Sequence, residues 1–316
     1  MTVREACREW LDDIHLTCSL STWRMYGSHA RQLEKRFGDT PVEAISARDV
    51  YAMKEDLIEA GHKVSTVKQR VQRMLDIIKF ASTIQDTVRP LNLRLRWSEA
   101  RCREKEVLSL EDHRLLFASI LADMGGGHWE MLPALISMTT GLRISEVCGL
   151  HWEDLKLRGS SPSITVRRQA RYHYIGGKRI LTTEPKTNNA YRTVPLLPQV
   201  RDALRAYRLK HPEAVYVIGG GSMPVTAEGV RKAFNRYISA IKVKDKVSFH
   251  GLRHTFATIL VGSGCEITAA SRMLGHSSVT ITMDMYVHPS EDQKRKSMKK
   301  AFETLSKIKF QSYGEK

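Results

Sequence analysis

The sequence has 316 residues, 50 Lys and Arg against 34 Asp and Glu, and a net charge of +16, long enough for two domains that each bury a core. The five cysteines Cys7, Cys18, Cys102, Cys148 and Cys265 form no CxxC pair. They exclude a disulfide framework or zinc knuckle and read as reduced cytosolic thiols, while the lack of a long apolar run, signal peptide or lipidation motif argues against a membrane partner.

Residues 1–100 hold 16 basic and 14 acidic side chains, which leaves 34 and 20, or +14, for the rest. That placement predicts a polyanionic partner held mainly by the second part of the chain, and nucleic acid is the commonest such partner.

Residues 1–85 read as four amphipathic helices. The first carries an apolar stripe at Ala6, Trp10, Leu11 and Ile14, and the second continues it through Trp23, Tyr26, Ala30, Leu33 and Phe37 up to Gly38. The third opens with Ser46 and Asp49 in capping-box register and stops at Gly61. The fourth puts Val67, Val71, Met74 and Ile78 on one face and Lys68, Arg70 and Arg73 elsewhere. Those cations are either a solvated face or a DNA-facing one, and beside the charge excess the second reading is preferred.

From 86 to 105 periodicity fades and Arg89, Arg94, Arg96, Arg101, Arg103 and Lys105 accumulate, as in a basic linker lying along a phosphate backbone. A helix restarts at Ser109, with Asp112 in capping-box register. Alternating stretches between about 163 and 196, with "IGG" and "TNN" as turn signals, predict a small antiparallel sheet. Helices return near 199–210, 226–241, 252–263, 266–274 and 291–308. The expected fold class is therefore mainly α with a small antiparallel β-sheet.

The stretch "HGLRHTFATIL" sets His250, Arg253 and His254 at i, i+3 and i+4 on one helical face, with Phe256, Ile259 and Leu260 as an anchoring stripe. The cluster is either a solvated basic turn or an anion site. Metal is disfavoured, because the zinc-protease helix needs a glutamate where Gly251 stands and no third ligand is nearby. Other polar groups in unusual surroundings are Arg143 and Glu146 of "TTGLRISEVCGL", Lys186 of "TTEPKTNNAYRTVPL", and His276 and Tyr286 of "LGHSSVTITMDMY". Each has an ordinary reading of its own: an Arg143–Glu146 ion pair, an exposed turn lysine, a histidine after a helix-ending Gly275, a half-buried tyrosine.

Taken in order, the whole set from "VLSLEDH" to "YVHP", roughly residues 107–290, resembles the tyrosine recombinase, or phage integrase, family. Residues 1–85 are similar to that family's helical, SAM-like core-binding domain, through "STWRMY", Leu33 and Phe37. The resemblance implies a core-binding domain at 1–85, a basic linker at 86–105, an α+β catalytic domain at 106–289 and a C-terminal helix at 290–316 exchanged between protomers. It carries the family's two arginines onto Arg143 and Arg253, its hairpin lysine onto Lys186, its two histidines onto His250 and His276, and its nucleophile onto Tyr286.

Those residue types suit a phosphodiester. Two guanidiniums can clamp the non-bridging oxygens of a transferring phosphoryl group, and imidazoles can donate to the same oxygens or take the phenol proton. Lys186 is the expected general acid for the departing 5′ hydroxyl, and Glu146 is expected to orient a cation without reacting. The resemblance implies a 3′-phosphotyrosyl link on Tyr286, with no cofactor, metal or ATP, in keeping with the lack of a P-loop or acidic metal triad.

Expected partners are double-stranded DNA with inverted half-sites, three further copies of the chain in a tetrameric synapse, and, where the system uses one, an accessory DNA-bending or directionality factor. Lys68, Arg70, Arg73, Arg94, Arg96, Arg101 and Arg192 are the expected DNA contacts, with His254 as a phosphate contact or a support to the site. The expected location is the bacterial cytoplasm, at the nucleoid or on mobile-element DNA.

Two departures stand out. The stretch before Lys186 is longer than a minimal hairpin, and no small arm-binding domain precedes the core-binding helices, so the chain is either a simpler recombinase or a trimmed one. The rival expectations are a type IB topoisomerase, which uses nearly the same residues, and a DNA-binding protein without catalysis.

Overall fold

A computed structural model describes residues 1–97, 107–175, 178–183, 191–241, 243–245 and 247–283, together with 295 and 298. The chain divides into two compact units, Met1–Arg103 and Glu104–Lys316.

The first unit holds four α-helices among its described residues: α1 (Val3–His15), α2 (Leu20–Phe37), α3 (Ala47–Glu59) and α4 (Val64–Ile84). Thr2 and Glu5 form a capping box at α1, and Ser46 and Asp49 do the same at α3, so the amides that a helix start leaves without partners are met locally. The inward faces supply Ala6, Trp10, Ala30, Leu33, Val50, Met53, Val67, Val71, Met74 and Ile78 to one core. Trp10 stacks on Tyr26 with centroids 5.4 Å apart, and the Trp23 indole N–H donates to the Leu11 carbonyl at 2.9 Å.

The segment after α4 differs from the linker expected. Val88 is buried, and Leu91, Leu93, Leu95 and Trp97 pack against the first unit's core while Asn92, Arg94 and Arg96 face outward. An extended chain points successive side chains to opposite sides, so this two-residue alternation lays an apolar edge on the helices and leaves the arginines in solvent.

In the second unit α5 (Leu110–Gly125) is followed by α6 (Leu132–Thr140), which is buried along its whole length. Around α6 lie α7 (Ile144–Cys148), α8 (Pro198–Lys210), α9 (Ala227–Ala240) and α10 (Phe249–Gly262), then α11 (Ile267–Leu274) and α12 (Val279–Met283). Leu116, Ile120, Leu135, Ile136, Leu142, Leu204, Phe234 and Leu252 are among the fully buried side chains of its core.

The Ser109–Asp112 capping box forms only by half. The Asp112 amide donates to Ser109 Oγ at 3.1 Å, but the buried Asp112 carboxylate accepts from the Lys244 and Asp245 amides instead, at 2.9 Å each. The long-range loop needs that carboxylate more than the helix start does, because Asp245 itself accepts from the Ser109 amide.

The predicted single sheet is two small antiparallel sheets. Strands β1 (Leu155–Lys156), β2 (Ser163–Val166) and β5 (Arg192–Pro195) form one in the order β1-β2-β5, and β3 (Arg171–Ile175) pairs with β4 (Lys178–Thr182) in the other. The split arises because β2 pairs with a strand that begins far along the chain, Val166 opposite Arg192, so the residues between leave the first sheet as a hairpin. Gly149 permits the exit, since a Cβ there would fall 2.8 Å from the backbone of Gln169 and Ala170, where the Ala170 amide donates to the Ser145 carbonyl at 2.7 Å.

Candidate active site

The site forms where three chain reversals meet. α6 ends at Gly141, which has φ 68° and is packed so closely that a Cβ would lie 2.6 Å from the Phe256 ring and 2.7 Å from Leu274. Only glycine meets both demands, and it delivers Arg143 to the start of α7. α11 ends the same way at Gly275, with φ 66°, and delivers His276 immediately after it. α10 begins at Ser248, whose hydroxyl accepts from the Gly251 amide, and brings His250, Arg253 and His254.

A helix end leaves its last carbonyls without intrahelical partners. At α11 three of these are taken by three different arginines: Met273 O by Arg192 Nε at 2.7 Å, Leu274 O by Arg253 Nη2 at 2.6 Å, and Gly275 O by Arg143 Nη2 at 2.9 Å. Arg253 also donates to Gly141 O at 2.7 Å, so it ties the two glycine turns together.

Glu146 lies beneath this set with both carboxylate oxygens occupied. Arg143 reaches it through its amide and Nη1 at 2.8 Å each, and Arg192 grips it bidentately at 2.7 and 3.1 Å. Burial opposes the charge on Glu146, but the hydrogen bonds and charge of Arg192, with those of Arg143, hold its pKa below the usual range for a carboxylate.

The arginines differ in access. Arg253 is 2% exposed, and burial reinforced by the Arg143 charge pushes its pKa down. The Arg143 side chain stays 34% exposed and open to an anion.

Both histidines are held neutral near pH 7. His276 is pushed down to about 4 by burial, then by the Arg253 and Arg143 charges, and its Nδ1 lies 2.8 Å from the hydroxyl of the buried Thr282. His250 reaches solvent, yet partial desolvation of its ring and the same two charges lower its pKa. The His250 and His254 rings meet edge to face, 4.6 Å apart.

The structure thus gathers Arg143, Glu146, His250, Arg253 and His276 in one place. Lys186, Tyr286 and Arg101 lie outside the described residues, as does most of the expected tail helix. The stripe expected of α10 is displaced: Phe249, Leu252, Thr255 and Ala257 are buried with Arg253, whereas Phe256, Ile259 and Leu260 are only half-buried. The physical reason is that Arg253 itself occupies the inward face, where the free carbonyls of Gly141 and Leu274 meet its guanidinium.

Arg192 corrects the DNA contact expected of it. Its side chain is 6% exposed and committed to Glu146 and Met273, so it faces the interior of the site and not the solvent. Arg73 also departs from a solvent-facing role, with its guanidinium 4.3 Å over the Tyr26 ring and 2.8 Å from Asp76. Lys68 is exposed, its ammonium 5.5 Å from the Trp97 ring, and Arg70 lies 3.1 Å from His62.

Sequence reading missed Arg171 at the start of β3, a half-buried cation whose pKa is lowered by burial and by the nearby Arg143 charge. Its place among the three arginines between 167 and 171 gave no hint of which one turns inward. Among the described residues no three His, Cys, Asp or Glu side chains come together as a metal site, and no helix is long and apolar enough to cross a membrane.

Comparison with known proteins gives these likenesses. The sequence model of the phage integrase family matches residues 119–293. A tyrosine recombinase XerC-like protein of Caldanaerobacter subterraneus subsp. tengcongensis is 28% identical over 203 residues, 58% of this chain and 50% of the relative. Tyrosine recombinase XerC of Staphylococcus carnosus is 26% identical over 248 residues, 76% of each chain. The match thus spans about half the length of the first relative and three quarters of the second.

Among solved structures, the Tn1549 transposon integrase in complex with transposon right end DNA superposes with a TM-score of 0.79 at 23% identity, over 95% of this chain and 99% of that one. A lambda integrase tetramer bound to a Holliday junction gives 0.64 at 18% identity, over 90% and 77%.

Proposed function

The chain belongs to the phage integrase family, and from that premise we propose that it is a site-specific DNA recombinase that cuts and rejoins strands through a 3′-phosphotyrosyl intermediate, to integrate or excise a mobile element. The observation that carries this reading is that Arg143, Arg253, His250 and His276 come together where the ends of α6 and α11 meet α10, with Arg143 held by Glu146 and Gly275 and still open to solvent.

In this reading the guanidiniums of Arg143 and Arg253 neutralise charge on the non-bridging oxygens as it develops. They are oriented before substrate arrives, so little reorganisation is needed at the moment of reaction. The neutral His276 is assigned the tautomer in which Thr282, 2.8 Å away, donates to Nδ1 and the imidazole proton on Nε2 donates to the same phosphate. His250, also neutral, accepts the proton of the Tyr286 hydroxyl, a phenol with an ordinary pKa of about 10 that needs a base at neutral pH. The phenolate oxygen bonds to phosphorus as the 5′ oxygen leaves, and Lys186 protonates that oxygen. The phosphoester bond energy is kept in the tyrosyl link, so the 5′ hydroxyl of a partner strand can later reverse the step without ATP.

The substrate in this proposal is double-stranded DNA with inverted half-sites, and four protomers form the synapse, as in the lambda integrase tetramer on a Holliday junction. Lys68, Arg70, Arg94, Arg96 and Arg101 are proposed backbone contacts, His254 a support to His250 or a phosphate contact, and the work is done in the bacterial cytoplasm, with an accessory bending or directionality factor where the element encodes one.

The test begins by mapping the DNA this protein protects near the chromosomal junctions of its own gene. On that DNA the wild-type protein should leave an adduct that survives denaturant, and Tyr286→Phe should bind without forming it. A wild-type yield of adduct from Tyr286→Phe, or relaxation of plasmids that lack the mapped site, would overturn the reading, the second outcome in favour of a topoisomerase.

A further inference from the structure

We propose that Arg192 is a positioning residue for strand cleavage, which locks Glu146 and the last turn of α11 so that Arg143 and His276 hold fixed places around the phosphate. The proposal rests on the recombinase reading for its chemistry, though not for its geometry. A single guanidinium on β5 spans the two halves of the site: Nη1 and Nη2 bind both oxygens of Glu146, at 3.1 and 2.7 Å, and Nε binds the Met273 carbonyl at 2.7 Å. Glu146 in turn fixes Arg143 at 2.8 Å, while the turn after Met273 is the one that ends at Gly275 and presents His276.

Three features mark this as more than a buried ion pair. The fork is planar and bidentate, which only arginine supplies. The Arg192 side chain is 6% exposed, with Nε, Nη1 and Nη2 all donating to protein acceptors. It also completes a set in which Met273, Leu274 and Gly275 carbonyls are each assigned to a separate arginine, so that losing one frees a backbone group at the mouth of the site. Arg143 from α7 and Arg192 from β5 face Glu146 directly, with the charges of Arg253 on α10 and Arg171 on β3 close by. Removing Arg192 takes away the largest favourable influence on the Glu146 carboxylate and leaves burial, which favours the protonated form.

The test compares Arg192→Ala, Arg192→Lys, Glu146→Gln and Arg192→Ala combined with Glu146→Gln on a duplex carrying the mapped protected sequence, with covalent adduct formed in a single turnover and non-covalent affinity read separately. Arg192→Ala should slow adduct formation by about 10²-fold while affinity at fixed salt changes by less than about threefold, as expected when only the transition state loses support. Its rate should rise with pH as Glu146 ionises, an arm absent from wild type and from the double variant. The double variant should be no slower than the slower of Arg192→Ala and Glu146→Gln, since coupled groups do not add. Arg192→Lys, which keeps the charge without the fork, should restore the wild-type pH profile but not the full rate.

Equal losses of rate and affinity would show that Arg192 touches DNA, and multiplied defects with an unchanged pH profile would show a merely structural role. Either result overturns the proposal. Should wild-type protein form no adduct on any DNA, the recombinase reading fails by itself, and histidine-selective NMR of the free protein still decides the positioning. The His276 ring should titrate at higher pH in Arg192→Ala than in wild type, because Arg192 is one of the charges that lower it, and identical titrations would overturn the lock.

Discussion

At the scale of single residues the two arginines proposed to hold the phosphate are not equivalent, and their variants should separate. Arg253 satisfies two carbonyls while almost wholly buried, so Arg253→Ala leaves Gly141 O and Leu274 O unpaired as well as removing a charge. Unpaired buried groups cost about 1–3 kcal/mol each. Arg143→Ala frees one buried carbonyl, that of Gly275, and leaves Glu146 in the grip of Arg192. Both variants should lose about 10²-fold or more in adduct formation, but Arg253→Ala, which strands two buried carbonyls against one, should lower the melting temperature by several degrees more than Arg143→Ala in a thermal scan.

The neutral His276 gives the residue scale its pH dependence. Its folded pKa of about 4 lies below the ordinary 6.5, so protonation favours the unfolded chain. The stability it contributes is complete above pH 6.5 and drains as pH falls toward 4. Glu146, also lowered, yields its share at still lower pH, below the ordinary carboxylate value. Melting temperature should therefore fall between pH 6.5 and 4, and His276→Gln should flatten that part of the curve. A curve of unchanged slope would show that His276 is charged in the folded protein.

At the scale of elements, what was legible in the sequence was what rests on local periodicity. The stripes of α1, α2 and α4 and the cap at Ser46 are stated within a dozen residues each, and they formed. The apolar edge from Leu91 to Trp97 obeys period two but sits among arginines, which masked it as a linker. The β-hairpin left the first sheet because of a partner some thirty residues away, and the Asp112 carboxylate was drawn to a loop more than a hundred residues on. No window of sequence shows such distant partners.

The candidate site divides in the same way. Residue type named the cations Arg143, His250, Arg253 and His276, but not which of them turns inward. Arg192 and Arg171 look alike in sequence to surface arginines, and only the free carbonyls of α11 decide where Arg192 points.

The tail is the element whose partner is proposed rather than described. After Tyr286, Ser290 and Gln293 stand in capping-box register, and Met298, Ala301, Phe302, Leu305 and Ile308 recur at helical spacing among lysines. Met298 is 57% exposed, and the other members of the stripe lie outside the described residues. A short hinge at "VHPS" suits exchange between copies. Deleting residues 291–316 should leave binding to a single half-site intact and abolish cooperative filling of a paired site, measured by gel shift with light scattering for the four-protomer complex. Unchanged cooperativity would place the helix on its own core.

At the scale of the whole molecule, charge and fold divide the labour between the two units. The first unit carries nearly balanced charge, and its cations are partly absorbed: Arg73 by Tyr26 and Asp76, Arg4 by Asp39, Arg36 by Asp56. The second unit holds 32 basic and 20 acidic side chains, an excess of +12, and among its described residues the buried Arg253 serves the site. A molecule built this way should bind DNA chiefly by displacing counterions from phosphates. The logarithm of the binding constant should then fall linearly with the logarithm of salt concentration, with a slope of about −0.9 for each phosphate neutralised. Residues Glu104–Lys316 alone should keep most of the full chain's slope, because the excess resides there, whereas the contribution of Arg94 and Arg96 should appear as a decrease of about two in the slope's magnitude when both are replaced by alanine in the full chain. A slope near zero for the full chain between 50 and 200 mM salt, roughly the range over which phosphate contacts are felt, would contradict a DNA substrate; an unchanged slope in the Arg94→Ala, Arg96→Ala chain would show that the outward face of the 91–97 segment lies off the DNA.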